Sequence, residues 1–415
     1  MSTPHHPSVP HLPLSILPVD GRFGSGPSKV RPEQAHALVA PLAPLGQSHR
    51  KPNVISLVGE IRRGLTELFS LPDGYEVLLG NGGASLLWDA IAWNLAEVHV
   101  QAAVCGAFSE KAATACIRSP WVRRVDIHRA EPGSLAVCSF DETDDPCVPT
   151  RPDVYLYPHN ETSTGVISPV RRIDEGRVDG GEKGTEAGTP VPPHGGGKEG
   201  LSSVPGAPLT IVDATSAAGG VLVDISQTDF YYFSPQKCFG ADGGLWIAIA
   251  SPQALERIAR LSAERTIPAI LDLNLAVTAS RKDQTYNTPA ISSLILLANQ
   301  VEWMLENGGL AAMAERCVRS SAAIYSWAEA RPEARPFVVN PEYRSPVVAT
   351  IDMKVDSVAI SQFLRGEGIM DIEPYRSLGR SQLRIGTFPN VDYADIEALL
   401  ACLDWCLDNK VGAKS

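Results

Sequence analysis

No run of apolar residues in the 415-residue sequence approaches the ~20 that a membrane helix needs; the longest, such as 291–298, fall far short. The first twenty residues lack a basic stretch followed by an apolar one, so a secretory leader is not expected. Positive charge is also scarce. The 36 Lys and Arg stand against 47 Asp and Glu, a formal charge of −11 that sets the surface against nucleic acid and anionic membrane. Any anion site must then be a local pocket. The eight cysteines (Cys105, Cys116, Cys138, Cys147, Cys238, Cys317, Cys402, Cys406) follow no framework spacing and read as reduced thiols of a cytoplasmic protein. Cys402 and Cys406 are four apart on an expected helix, but no second pair completes a metal site, so a buried helix face and no metal are expected. The Gly-rich strand-to-helix turn at 80–85 is neither a Walker motif nor G-x-G-x-x-G, which speaks against a nicotinamide-dependent oxidoreductase.

What is present is an alternation of short apolar runs with helical patterns. Strands are expected at 75–79, 101–104, 154–157, 210–212, 230–233 and 245–250, and helices at 32–45, 53–69 and 84–95. Apolar runs of this length suit strands covered on both faces, hence an α/β fold with a large, mostly parallel sheet. After the turn Asn287-Thr288-Pro289, helices at 290–306, to about 329, at 358–366 and at 393–407 accompany strands at 346–352 and 382–388. That is a smaller α+β domain. The expected organisation is a flexible arm (1–19), a large domain (20–288) and a small C-terminal domain (289–415). Residues 174–207 are rich in Gly, Pro, Glu and Lys and are expected to be a disordered insertion, having too little apolar surface to offset ordering.

Three segments carry candidate chemistry. The chain has only ten lysines, and Lys237 follows the apolar run Phe230-Tyr231-Tyr232-Phe233 and precedes a Gly-rich stretch. A lysine delivered from a strand end into a desolvated pocket loses proton affinity and can attack an aldehyde; a lysine with its ammonium in water is the commoner case. Asp213 ends the apolar strand Ile211-Val212, 24 residues before Lys237. It could hold a pyridine nitrogen protonated or simply cap the following turn. Gly80-Asn81-Gly82-Gly83-Ala84-Ser85 runs from a strand into a helix, where exposed amides and the helix dipole suit a phosphate, although such turns also occur without ligands.

In this order, phosphate turn, aromatic, polar loop, Asp and Lys resemble the large domain of fold-type I pyridoxal-phosphate (PLP) enzymes. More narrowly, the chain resembles the phosphoserine aminotransferase family, most closely its actinobacterial-type sequences. The matching segments are Gly21-Arg22-Phe23-Gly24-Ser25-Gly26-Pro27-Ser28-Lys29-Val30, Ser48-His49-Arg50, His159-Asn160-Glu161-Thr162-Ser163-Thr164-Gly165, Ser234-Pro235-Gln236-Lys237 and Tyr286-Asn287-Thr288-Pro289. The resemblance implies a homodimer that transfers the amino group of L-glutamate to 3-phosphohydroxypyruvate. It makes Lys237 the Schiff-base lysine and Asp213 the partner of the pyridinium nitrogen. Phe108 would stack on the ring, where the wider family often has Trp. Thr162 would bond the phenolic oxygen, and Ala84, Ser85 and Gln236 the phosphate. Asn287 and Thr288 would reach the phosphate in the other subunit. For substrate, His49 and Arg50 match the contacting pair and Arg384 the α-carboxylate arginine, although a strand arginine is more often a surface ion pair. Where many members have Gly-His-Arg, this chain has Glu373-Pro374-Tyr375-Arg376-Ser377-Leu378-Gly379-Arg380, leaving Arg376 and Arg380 as candidates for the substrate phosphate.

An alanine–glyoxylate-type transaminase, a cysteine desulfurase and a non-catalytic PLP-fold protein are the alternatives. A desulfurase needs a nucleophilic cysteine in a loop over the site, and none occurs between residues 318 and 401.

Overall fold

The four aromatic residues of Phe230–Phe233 send alternate rings to opposite faces of one sheet, and this two-residue period organises most of the molecule. The computed structural model describes residues 11–139, 151–173, 189–190 (backbone) and 207–413. The large sheet contains β1 (Glu76–Asn81), β2 (His99–Val104), β3 (Arg124–Arg129) and β4 (Val154–Pro158). A two-residue hairpin, β5 (Asn160–Glu161) and β6 (Val166–Ile167), lies outside it. The sheet resumes with β7 (Thr189–Pro190), β8 (Leu209–Asp213), β9 (Phe230–Phe233) and β10 (Leu245–Ala250). Their order across the sheet is β1-β10-β9-β8-β4-β2-β3-β7. From β9 to β3 every pairing is parallel; β10 runs antiparallel to both its neighbours, and β7 pairs antiparallel at the far edge. The sheet is therefore mostly parallel, as the apolar strands require.

Helices cover both faces. On one side α2 (Pro52–Leu68) presents Val54, Val58, Ile61, Leu65 and Leu68, a helical stripe that packs with Val77, Leu79, Tyr231, Phe233 and Ile247. On the other, α3 (Ala84–Asn94), α4 (Ala107–Arg118), α5 (Pro252–Glu264) and α6 (Leu273–Ser280) bury their apolar faces on Leu78, Ala102, Phe230, Tyr232 and Ala248. A second, three-stranded antiparallel sheet of β11 (Ala334–Pro336), β12 (Val348–Met353) and β13 (Gln382–Gly386) packs with α8 (Gly309–Ala330), α9 (Ser357–Gly366) and α10 (Tyr393–Asp408). Cys402 and Cys406 are fully buried on α10, as a core face of that helix.

The structure departs from the sequence reading in several places. The helix expected over 32–45 is α1 (Pro32–Leu38), because Pro41 and Pro44 cannot donate the amide bonds that would extend it. Residues 11–19, expected in a flexible arm, dock on α10: Leu12 is buried, Ile16 O accepts from Cys402 Sγ, and the amides of Val19 and Asp20 donate to Asp395. Residues 1–10 lie outside the described residues. So does most of 174–207, within which β7 pairs with the edge strand β3. The turn at 287–289 does not mark a change of core. α7 (Ile291–Glu306) places Leu294, Leu297, Val301 and Met304 in the core of the large sheet, and the core of the small sheet takes over only at Ile324 of α8.

Candidate active site

The parallel strands all end at one edge of the large sheet, where an open α/β sheet forms its binding crevice. β8 delivers Asp213 there, β9 leads into Ser234 to Lys237, and the segment after β2 brings Phe108 at the start of α4. A cavity of about 230 Å³ at this edge is lined by Lys237, Asp213, Gln236, Phe108 and Thr162, with Gly82 to Ser85 at the start of α3. Residues from separate parts of the sequence therefore meet at one site.

Lys237 is buried, at 9% exposure, and its Nζ donates to the Ser25 carbonyl at 2.8 Å. Burial, and then the nearby Arg384 charge, push the ammonium down to about 8 from its ordinary 10.5. The amine is seated against glycine: a Cβ on Gly26 would stand 1.8 Å from Nζ. Ser28 ties the neighbouring backbone, its amide donating to Gln236 O at 2.8 Å and its hydroxyl to Lys237 O. Cys238 beside it is a fully buried thiol whose proton affinity burial raises, in one cluster with Cys317. A packed thiol is the reading that fits.

Asp213 faces the same cavity with its carboxylate held from three sides. Oδ2 accepts from Trp88 Nε1 at 3.1 Å and Tyr232 Oη at 2.9 Å, and Oδ1 from the Thr215 amide at 2.9 Å. Thus Asp213 does cap the following turn and still borders the pocket. Beneath it His159 donates its amide to Asp213 O, and burial pushes its imidazole down to about 3, leaving a neutral ring beside the Tyr231 hydroxyl at 3.0 Å.

Phe108 is aimed by a residue that the sequence reading quoted only as part of a motif. Glu161, fully buried, accepts from the amides of Phe108 and Ser109 at the start of α4 and from the amide and hydroxyl of Ser163. A carboxylate there is favoured by the helix dipole and fastens the β5–β6 hairpin to α4. Thr162 rides on that hairpin, its hydroxyl donating to Ser216 Oγ at 2.8 Å. At the start of α3 the Ala84 amide donates to Ser234 Oγ at 2.6 Å, so among the expected phosphate ligands Ala84 already has a partner in the protein. Trp88 carried no signal as a site residue, and Tyr232, Ser234 and Gly26 stood only within quoted segments without a role of their own, since each contact joins positions distant in sequence.

The arrangement suits a phosphorylated pyridine aldehyde. Among the described residues, buried Gln236 Oε1 and Thr215 Oγ1 on the cavity wall have no hydrogen-bond partner, and neither has Arg384 Nε. Such atoms call for a polar ligand. The amine, the carboxylate, the aromatic Phe108 and the helix start at Ala84 and Ser85 supply the remaining complementary groups.

Of the expected substrate arginines, Arg384 sits at this site. It lies on β13, donates through Nη1 to Thr162 O at 3.3 Å, and has its guanidinium 5.1 Å from the Tyr375 ring centre, which in turn is 5.6 Å from Phe108. No carboxylate pairs with it among the described residues. Arg380, expected near the substrate phosphate, is instead committed: its fork binds Asp352 on β12 at 3.1 and 2.6 Å. Arg376 is exposed on the connecting turn. His49, Arg50, Asn287 and Thr288 form a separate group outside the cavity lining. Thr288 Oγ1 meets His49 Nδ1 at 3.2 Å, and Asn81 Nδ2 donates to Asn287 Oδ1 and to Thr288 O. Burial, then the Arg50 charge, lower the proton affinity of His49, whose buried Nε2 is without a partner.

Comparison with known proteins agrees with this geometry. The model of the family "Aminotransferase class-V" matches residues 206–372. A Mycobacterium leprae protein is 49% identical over 401 residues, 96% of this chain and 97% of the relative. A phosphoserine aminotransferase of Corynebacterium glutamicum is 47% identical over 410 residues, 98% of this chain and 99% of the relative. The crystal structure of a phosphoserine aminotransferase from Cytophaga hutchinsonii superposes with a TM-score of 0.76 at 22% identity, covering 93% of this chain and 99% of that one. At that identity the likeness establishes the fold.

Proposed function

Since the chain belongs to the phosphoserine aminotransferase family of class-V aminotransferases, we infer from its geometry how its residues share the work. The enzyme is a PLP-dependent transaminase that moves the amino group of L-glutamate to 3-phosphohydroxypyruvate, giving 2-oxoglutarate and O-phospho-L-serine. When bound, pyridoxal 5'-phosphate supplies an aldehyde that amines capture and a protonated ring that draws electrons from the substrate.

Lys237 holds the cofactor through Nζ. Its low proton affinity leaves a substantial share of the amine neutral in mildly basic solution, which nucleophilic attack requires. With the cofactor bound, the same Nζ would be the base that takes a proton from the substrate carbon and returns it. Asp213 would meet the ring nitrogen and Phe108 would stack on the ring. The amides at Ser85 and the side chain of Gln236 hold the phosphate, with Ala84 shaping the turn, and Thr162 meets the phenolic oxygen. Arg384 binds the α-carboxylate shared by all four substrates and products. Among the described residues no carboxylate occupies its planar fork, which makes one weak bond to Thr162 O, and that suits the role. Both half-reactions use one site, so the kinetics are ping-pong.

The enzyme acts in the cytoplasm as a homodimer in which Asn287 and Thr288 reach the cofactor phosphate of the other protomer, with His49 and Arg50 beside its substrate. Two observations support this. These residues lie outside their own chain's cavity, and exposed Leu42, Leu45, Ile270 and Tyr286 adjoin them in sequence or in space. With Arg380 committed to Asp352, Arg376 and the partner's copy of Arg50 are the cations left for the substrate phosphate.

The observation that carries this assignment is the burial of the Lys237 amine in one cavity with Asp213, near Arg384, which pairs with no carboxylate among the described residues. The test is a coupled assay with glutamate as donor and 3-phosphohydroxypyruvate, pyruvate and glyoxylate as competing acceptors. The phosphorylated acceptor should dominate; equal or greater turnover of glyoxylate would replace this assignment with an alanine–glyoxylate-type activity.

A further inference from the structure

Asp213 can be audited one lone pair at a time. An ionised carboxylate offers about four acceptor positions, two on each oxygen. On Oδ2 both are filled, by the Trp88 indole and the Tyr232 hydroxyl, and on Oδ1 one is filled by the Thr215 amide. One position on Oδ1 is left. The donors come from three elements: Trp88 from the first turns of α3, Tyr232 from β9, and Thr215 from the turn after β8. Rotation of the carboxylate would break at least two of these bonds. Tyr232 is fully buried, and burial together with Asp213 raises its phenol well above the ordinary value, so it remains a donor.

We propose that Trp88 and Tyr232 are positioning residues that orient Asp213 so that the remaining position on Oδ1 receives the ring nitrogen of the cofactor. This rests on the reading that places Asp213 opposite that nitrogen. Trp88 also lines the cavity, so it could act merely as a wall, and the test must separate the two roles.

Apo-enzyme is titrated with pyridoxal phosphate and with its 1-deaza analogue, in which carbon replaces the ring nitrogen, and dissociation constants are read from absorbance. Wild type should bind the natural cofactor more tightly than the analogue. Trp88→Phe and Tyr232→Phe should each weaken pyridoxal phosphate by about tenfold to a hundredfold, the range of a hydrogen bond to a charged group, and leave the analogue nearly unaffected. Equal weakening of both ligands, or of neither, would overturn the positioning role. Should Trp88→Phe fail to fold, Tyr232→Phe carries the same comparison. A wild type that does not distinguish the two ligands would instead sink the placement of Asp213 at the ring nitrogen.

Discussion

Seating an amine where it is hard to protonate costs the apo-protein stability, and the cost has a pH signature. Lys237 titrates near 8 in the fold against 10.5 when solvated. At ~1.36 kcal/mol per tenfold change, the difference amounts to about 3 kcal/mol. Above pH 10.5 the amine is neutral in both folded and unfolded chains and the penalty vanishes. Between 10.5 and about 8 the unfolded chain holds the extra proton, so stability falls as pH falls; below about 8 both forms are protonated and the penalty is complete. Replacing Lys237 with Met removes the titration while filling similar space. Urea unfolding of both apo-proteins across that range should find Lys237→Met the more stable at neutral pH by up to about 3 kcal/mol, less what the lost Ser25 bond contributed. The gain should shrink steadily towards pH 10.5. A difference that stays flat across the range would refute a desolvated amine, whatever its sign. The same variant should be catalytically dead, a direct exchange of stability for function.

Other substitutions probe the neighbours. Gly26→Ala would put a methyl 1.8 Å from Nζ at a backbone φ of +138°, so the amine must leave its seat. A displacement near 1 Å should lower kcat on the order of a hundredfold, and near wild-type turnover would show that the seat is not specific. Arg384→Ala should raise KM for glutamate and for the phosphorylated acceptor alike, by about tenfold or more; an effect on one substrate alone would reassign it. Arg380→Ala, by contrast, should leave both KM values unchanged and cost about 0–1 kcal/mol in denaturant unfolding, since its half-exposed fork serves Asp352. A selective loss of the phosphorylated substrate would restore it to the site.

The sequence made the meeting of Lys237 and Asp213 in one cavity legible because both stand at strand ends. Apolar β8 and β9 announce where the chain stops being buried, and Asp213 and Lys237 stand at or just past those points. The devices that tune them were hidden. Trp88 donates to Asp213 across 125 residues with nothing local to distinguish it from other tryptophans, and Ser25, though in a matching segment, accepts from Lys237 across 212 residues, a contact no local pattern shows. Arg376 and Arg380 illustrate the converse. Both stood where many family members have Gly-His-Arg and so were candidates alike, yet only the fold shows that Asp352 on β12 captures one of them. The boundary between the two cores falls elsewhere for a related reason: the chain bends at Tyr286 and Asn287, but the apolar stripe after it faces back to the large sheet.

The segment before the first helix has a consequence of its own. Residues 21–23 exchange backbone bonds with Met370 and Gly386 of the smaller layer, and within five residues the same strip accepts the Lys237 amine and pins its carbonyl. The nucleophile thus hangs from a cord anchored in the layer that also bears Arg384. A shift of that layer would reach the amine through this strip without passing through the sheet. If Arg384 binds substrate, that strip is a direct covalent route from the arginine's layer to the seat of the amine, and cleaving it between its two anchors should change the Lys237 seat.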